Sequence, residues 1–447
     1  MPRRNLSWLF LITAFALICY SKTPANRYGR TLEEAFDYVA RRYYEPVDSA
    51  ELLEAAMKGI VERLNKKDDT NSVYIPPAHA KQFEEEISHQ FGGVGMSVGL
   101  DPKTKQLVVI SPLPGTPAYD AKVFPGDRIL KIDGKTTQGM SLSDSVKHMH
   151  GPAGTPVVIT LQREGEPQPI EKTILRKVIQ EETVHGDRRK KVGSEWRWEY
   201  FLQGHAAIGY LRVTGFADAE KSDRSGEKLT VADLKSALEE LREGGMRGLV
   251  LDLRDNPGGS LVACIEACRL FMEPGDIVTT RGREGKIRHS FSAKKAGPYT
   301  DFPMAILVNQ HSASASEIVA ACLQDHGRAV VVGQRTYGKG TVQEVHELGE
   351  DFGTLKLTVA TYWRPDGQNI HKLPGDGDGA TWGVMPDKGY EVPMSDKEQA
   401  AFREWRLHRE IVWPDGAKPV PAKEGEDRPF VDRPLAKAVE YLEKEGK

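Results

Sequence analysis

Cysteine is scarce in this chain: there are four in 447 residues, too few for a disulfide framework. Cys19 lies in an apolar leader, Cys264 and Cys268 stand four apart in the helical pattern SLVACIEACRLF, and Cys322 falls in another helical stretch. Small buried hydrophobes are the expectation for them. A zinc site on Cys264 and Cys268 would lack two further ligands. Net charge is also slight. Lys and Arg number 61 against 64 Asp and Glu, a balance of -3, which gives no bulk electrostatic case for nucleic acid. No internal repeat is visible, and low complexity is confined to GDGDG at 375–379, which lacks the full oxygen set of a calcium loop.

Long apolar runs are missing as well, except at the start. MPRRNLSWLFLITAFALICYSK sets two arginines before an apolar stretch from Leu6 to Tyr20, the layout of an export signal. The stretch is shorter than the roughly twenty residues of a usual membrane span. Neither an A-x-A-like cleavage site nor a lipobox precedes Cys19, because Leu17 and Ile18 stand where small residues are needed. An uncleaved anchor and a poorly marked signal peptide both fit, and both put the remainder outside the cytoplasm; a buried N-terminal helix is the third reading. The expected location is therefore periplasmic or extracytoplasmic, with a membrane tether at residues 6–20.

What is present is a soluble globular composition, 39% hydrophobic and 28% charged, long enough for two to three domains. From Thr31 to Leu64 apolar residues recur at helical spacing, interrupted at Glu45-Pro46, with Asp48 or Ser49 as the cap of a second helix. Residues 91–165 change to short β-like runs, GVGMSV, QLVVIS, DRILKIDG and VVITLQR, separated by turn residues. VHGDRRKKVGSEWRWE at 184–199 has charge without apolar period and predicts an exposed loop or ribbon. Beyond it, strand-like AAIGYLRV, GLVLDLR, MAILVNQ and AVVVG alternate with helix-like VADLKSALEELREGG, SLVACIEACRLFM and SEIVAACLQDHG. That rhythm predicts an α/β domain with parallel strands and crossover helices. LKLTVATYW adds a strand, and PLAKAVEYLEKEG a last helix.

GQRTYGKGTVQ at 333–343 approaches the phosphate-loop pattern, but a hydroxyl must follow the lysine and here Gly340 does. TVQEVHEL then alternates like a strand, where a phosphate site needs a helix N-terminus. Nucleotide binding is excluded on both counts. Lys339 is better suited to act as a base. A free lysine titrates near 10.4, so working close to pH 8 costs the charged form about 3 to 4 kcal/mol, which burial supplies. Gly338 and Gly340 would let the backbone pass close to other structure, and in an extended segment Lys339, Thr341 and Gln343 share a side. An ordinary surface lysine in a glycine turn is the alternative.

Upstream, MAILVNQHSASASEIVAACLQDHG runs from a strand into a helix beginning near Ser314 to Ser316, with Glu317 suited to its first turn. A serine at such a junction is accessible to a substrate, while Ser312 and Ser316 could serve as caps. In GLVLDLRDNPGGSLVACIEA, Gly258 and Gly259 at a strand-to-helix turn uncover backbone N–H groups suited to an oxyanion hole, or form a tight turn capped by Ser260.

LRDNPGG, SASASEIVAACLQD and RTYGKGTVQ, in this order and spacing, resemble the carboxy-terminal processing peptidases, or tail-specific proteases. The resemblance covers roughly residues 30–395. It implies Ser314 as nucleophile, Lys339 as general base and Gln343 as the residue that orients the lysine, with oxyanion donors from the backbone of Ala315 and of Gly258 or Gly259. It also implies a ClpP/crotonase-like α/β protease core, and no metal or other cofactor. FGGVGMSV resembles the carboxylate-binding loop of a PDZ domain, and SPLPGTPAYDAKVFPGDRILKIDGK its continuation. Gly92, Gly93, Val94 and Gly95 would offer N–H groups to a terminal carboxylate, and the strand after them would take a peptide by β-augmentation.

The implied function is a serine endopeptidase that grips protein C-termini and cleaves through an acyl-enzyme. The implied boundaries are a signal or anchor at 1–27, a helical region at 28–85, the PDZ domain at 86–170, the protease core at 171–395, and a tail with a helix at 396–447. Protein substrates are the expected partners, with room for an adaptor and for a dimer through the N-terminal helices. Two departures stand out. His150 occupies a position before glycine where family members often carry arginine, so peptide activation should follow the imidazole near pH 6.5. RPDGQNIHKLPGDGDGATWGVMPD is also longer than the usual join. An inactive PDZ scaffold and a Ser–His–Asp hydrolase using His311 or His326 are the competing readings, and His326, at the far end of its helix, would lie about 18 Å along the axis.

Overall fold

The computed structural model describes residues 26–65, 69–88, 90–217, 229–349, 351–377, 379–417 and 430–445. The apolar leader lies outside these residues, and none of the described helices is long and apolar enough to cross a membrane.

The chain divides into two units. Among the described residues, the smaller holds 26–65, 69–76, 346–349 and 351–356. Its helices Arg27–Arg42 and Ser49–Asn65 are the expected pair, and Asp48 caps the second by accepting from Ala50 N–H at 2.7 Å. Strand Val73–Ile75 pairs antiparallel with residues 354–356, and the Tyr74 hydroxyl donates to the Phe352 carbonyl. The helical region was expected to run to residue 85, but helix Pro77–Ser88 belongs to the larger unit.

The larger unit contains the β-rich module. Strands Met96–Leu100, Leu107–Pro112, Arg128–Ile132, Pro156–Gln162 and Ile170–Leu175 neighbour one another in that order, all antiparallel. Alternation in Pro156–Gln162 turns Val157, Ile159 and Leu161 inward, where they meet Leu107, Val109, Ile129 and Met149. Each such aliphatic side chain contributes about 1.5 to 3 kcal/mol by burial. The expected boundary at 170 falls too early, because Ile174 on the last strand inserts into this core.

The α/β part follows the expected rhythm. Its sheet runs in the order Val184–His185, Ile208–Val213, Gly248–Asp252, Met304–Val308, Val330–Gly333, and the last four strands are parallel. The two central strands are buried along their whole length, so they read as continuous apolar runs. Leu249, Leu251, Ile306 and Val308 face the crossover helices Leu229–Glu243, Leu261–Phe271 and Ala315–Asp325. Val250, Ala305 and Leu307 face the other way, onto Leu435, Ala438, Val439 and Leu442 of helix Arg433–Glu445. The core therefore extends past residue 395 into the stretch expected to be a tail, because the sheet has a second face that helix covers. Cys264, Cys268 and Cys322 are buried as expected. Residues 188–199 form a ribbon, Arg188–Val192 paired with Glu195–Glu199.

Candidate active site

The carboxyl ends of three adjacent parallel strands, Gly248–Asp252, Met304–Val308 and Val330–Gly333, deliver the three motifs to one place, where open α/β sheets commonly bind ligands. The first strand leads into a turn stiffened from below. Arg254 is fully buried between Asp252, at 2.6 Å, and Asp432, at 2.8 Å. Burial works against its charge, yet the two carboxylates outweigh burial and hold its pKa above the usual value. Asn256, also buried, donates to the Val213 carbonyl and accepts from Gly258 N–H, both at 2.8 Å, and its own carbonyl accepts from Ala313 N–H.

Glycine is required at both positions of the turn. Gly258 has φ 106°, and a Cβ there would stand 2.8 Å from the Ala313 carbonyl oxygen and from Ser314 Cβ, and 2.9 Å from Ala315 N. A Cβ on Gly259, φ 134°, would come within 2.3 Å of the Phe216 carbonyl oxygen. The structure thus brings the glycine turn directly against Ser314 and Ala315. Because the N–H of Gly258 is engaged by Asn256, Gly259 is the better placed of the two to serve a ligand. Ser260 caps the next helix through Ala263 N–H, so the turn reading holds too.

Of the three serines, two are used internally. Ser312 is buried and donates to the Leu253 carbonyl at 2.7 Å while accepting from Asn309 N–H; Ser316 is buried and donates to the carbonyls of Asn256 and Ala313. Ser314 differs. It is only half-buried and holds φ 57°, ψ -115°, a left-handed conformation that side chains rarely adopt and that marks strain at functional junctions.

The third strand runs on through Thr336, Tyr337 and Gly338 to Lys339. Tyr337 N–H donates to the Ser312 carbonyl at 2.9 Å, which ties this segment to the serine loop. The flanking glycines do what their lack of a side chain suggests. A Cβ on Gly338, φ 85°, would stand 2.8 Å from Lys372 Cβ and from Trp382 Cε3, and one on Gly340 would stand 2.2 Å from His371 N. Lys372 N–H and Tyr362 N–H donate to the carbonyls of Gly338 and Gly340, at 2.9 and 2.7 Å. The longer join noted in the sequence therefore lies behind the lysine, with Trp382 between Arg335 and Lys372 at 3.9 and 4.3 Å from its ring centre. Gln343 Nε2 donates to Thr341 at 2.8 Å and to Thr358 at 3.3 Å, which leaves its carbonyl oxygen as the end able to accept from an amine.

One residue escaped the motif reading. Glu317, fully buried, accepts from Ser314 N–H and Lys339 N–H on Oε2, both at 2.8 Å. On Oε1 it accepts from Gly338 N–H at 2.7 Å and the Thr336 hydroxyl at 2.5 Å. Burial pushes its pKa up to about 7, against the pull of those four bonds. The signal for it in the sequence is the spacing S-x-x-E from Ser314, a capping pattern.

Of the two competing histidines, His326 lies at the other end of helix Ala315–Asp325 from Ser314. His326 bonds the Asp276 carbonyl at the far end of its helix, and His311 is exposed. In the β-module, Gly92 and Gly93 belong to a short strand, Gln90–Gly93, paired with Lys177–Gln180. The Gly92 carbonyl accepts from Gly151 N–H, and the Val94 carbonyl from Ala118 N–H. His150 stacks on Phe91 at 4.3 Å, and burial pulls its pKa below 6.5 although Glu85 and Glu181 oppose this.

The pattern of Peptidase family S41 matches residues 207–388, and that of a PDZ domain matches residues 108–163. The carboxy-terminal-processing protease of Bartonella bacilliformis is 35% identical over 401 residues, spanning 87% of this chain and 85% of that protein. The carboxy-terminal processing protease CtpA of Bacillus subtilis is 33% identical, over 81% and 69%. Among solved structures, a photosystem II D1 C-terminal processing protease aligns with 80% of this chain and 92% of its own, at 28% identity and a TM-score of 0.45.

Proposed function

The chain belongs to the carboxy-terminal processing proteases of peptidase family S41 and carries a PDZ domain, and on that premise we propose that it is a Ser314–Lys339 endopeptidase acting on protein C-termini outside the cytoplasm. The observation that carries the dyad is the convergence of Ser314 and Lys339 on one carboxylate oxygen, each backbone nitrogen 2.8 Å from Glu317 Oε2.

In this reading neutral Lys339 takes the Ser314 hydroxyl proton as Oγ attacks the peptide carbonyl. The oxygen that gains charge is met by the N–H groups of Ala315 and of the glycine turn, with Gly259 favoured over Gly258. Lys339, now an ammonium, returns the proton to the departing amine, and the new bond is an ester to Ser314. Water deprotonated by Lys339 then releases the acyl product and restores the hydroxyl. Gln343 supports the neutral lysine by accepting from it through its carbonyl oxygen. Peptide C-termini dock by β-augmentation beside Gly92–Gly95, and His150 links that site to pH.

Ser314→Ala and Lys339→Ala should each abolish turnover of an unstructured protein with an apolar C-terminus, with circular dichroism and melting unchanged. Retained turnover in either variant would refute the dyad. Export is tested by fractionation: the chain should sediment with membranes, and deletion of residues 1–27 should retain it in the cytoplasm.

A further inference from the structure

We propose that Glu317 is a positioning residue that holds the nucleophile and the base in register, and that its ionised state is the one competent for catalysis. This rests on the reading of Ser314 and Lys339 as the dyad. A carboxylate that only capped helix Ala315–Asp325 would need one oxygen, turned to Ser314 N–H. Here three of the four bonds go to the segment between strands Val330–Gly333 and Thr341–Glu347, to residues 19, 21 and 22 places further along the chain. The same oxygen binds both backbones, so a shift of either segment breaks a bond to the other.

The donors also fix which protonation state works. Three are backbone N–H groups, which cannot reverse, and the Thr336 hydroxyl already accepts from Val384 N–H at 2.7 Å. A protonated carboxyl would either turn an O–H against a backbone donor and lose that bond, or donate to the second lone pair of Thr336 Oγ1 and drive that residue's own O–H away from Oε1. With the group's pKa near 7, the clamp is complete above neutrality and opens as pH falls through it. Among the described residues, the other charged or titratable groups nearby include Lys339, Tyr337 and Arg335 on the segment after strand Val330–Gly333, His371 and Lys372 behind it, His311 on the serine loop and Asp255 before the glycine turn. Of these, Lys339 is the group that must also lose a proton for the reaction, so the acid limb of the wild-type rate should carry two ionisations.

The test is the pH dependence of kcat and KM for the full chain and for Glu317→Gln. The variant should lose about 10- to 100-fold in kcat with KM changed by less than about threefold, the effect of a small misplacement of reacting groups. Its acid limb should fall from a two-proton to a one-proton slope. A wild-type kcat, a loss confined to KM, or an unchanged acid limb would overturn the proposal. Thr336→Val removes one bond to the ionised form and should move the acid limb to higher pH, with Thr336→Ser restoring it; this pair decides the matter if Glu317→Gln does not fold, and a Thr336→Val profile that overlays the wild type would overturn the proposal. Failure of the dyad itself is read separately. Lys339→Ala that keeps turnover removes the dyad, whereas inactive Ser314→Ala and Lys339→Ala beside a fully active Glu317→Gln remove only the clamp.

Discussion

Glu317 sets two demands against each other. Its carboxyl would titrate near 4.5 in an unfolded chain and near 7 in the native one. The native state therefore holds the proton more tightly, so the stability linked to this group is fully present below about pH 4.5 and is lost as pH rises to 7. At 1.36 kcal/mol per pK unit the loss is about 3 kcal/mol. Activity changes in the opposite direction, because the ionised form makes the clamp. Urea denaturation should thus show Glu317→Gln gaining on the wild type as pH rises from 5 to 8, by up to about 3 kcal/mol; a difference constant with pH would show that the native carboxyl titrates normally. The residues themselves were unequally legible. Ser314, Lys339 and the glycines were singled out because each falls within a motif that carries the family resemblance. Glu317 could be read as a helix cap, but three of its partners lie 19, 21 and 22 residues further along the chain, and no local pattern reports them. The reason for Gly340 was legible only in kind: close approach was expected, but not that His371 would be the neighbour.

At the scale of elements, the helix Arg433–Glu445 matters most. Leu435, Ala438, Val439 and Leu442 show amphipathic spacing that predicts a helix, yet nothing in that spacing says what the apolar face covers. It closes the second face of the central sheet, beneath the strands that end at the site. The preceding Asp432 shares the buried Arg254 with Asp252, so this segment also supports the turn before Gly258. Leu442→Ala should cost about 2 to 5 kcal/mol by leaving a cavity. Asp432→Ala should cost about 3 to 5 kcal/mol, because it strips one partner from a buried guanidinium. Urea midpoints for the two variants check both values, and a change under 1 kcal/mol in each would mean the helix is dispensable to the core. Parallel strands and crossover helices were legible from their alternation. The join at 364–387 was not, because its packing depends on Trp382 meeting Gly338, a contact between segments with no shared period.

Within the larger unit, the segment from 396 to 417 touches both the β-module and the site loops. Val412 N–H donates to the Ser111 hydroxyl at 2.9 Å, Gln310 donates to Gln399 at 2.6 Å, and Arg403 lies 3.8 Å from Asp255. The family, the PDZ domain and the α/β core were thus readable from motifs and periodicity, while the ties among them were not, since each joins residues far apart in sequence. The proposed function rests on covalent chemistry at Ser314 driven by Lys339. The direct measurement is intact-mass and peptide-mapping analysis after reaction with a fluorophosphonate, with the rate of labelling followed against pH. One adduct is expected on Ser314 and none in Ser314→Ala, with a slow residual rate in Lys339→Ala whose acid limb, well below pH 10 in the wild type, has lost the lysine's ionisation and keeps only that of Glu317. An adduct on another residue, or labelling of Lys339→Ala at the wild-type rate and pH profile, would contradict it.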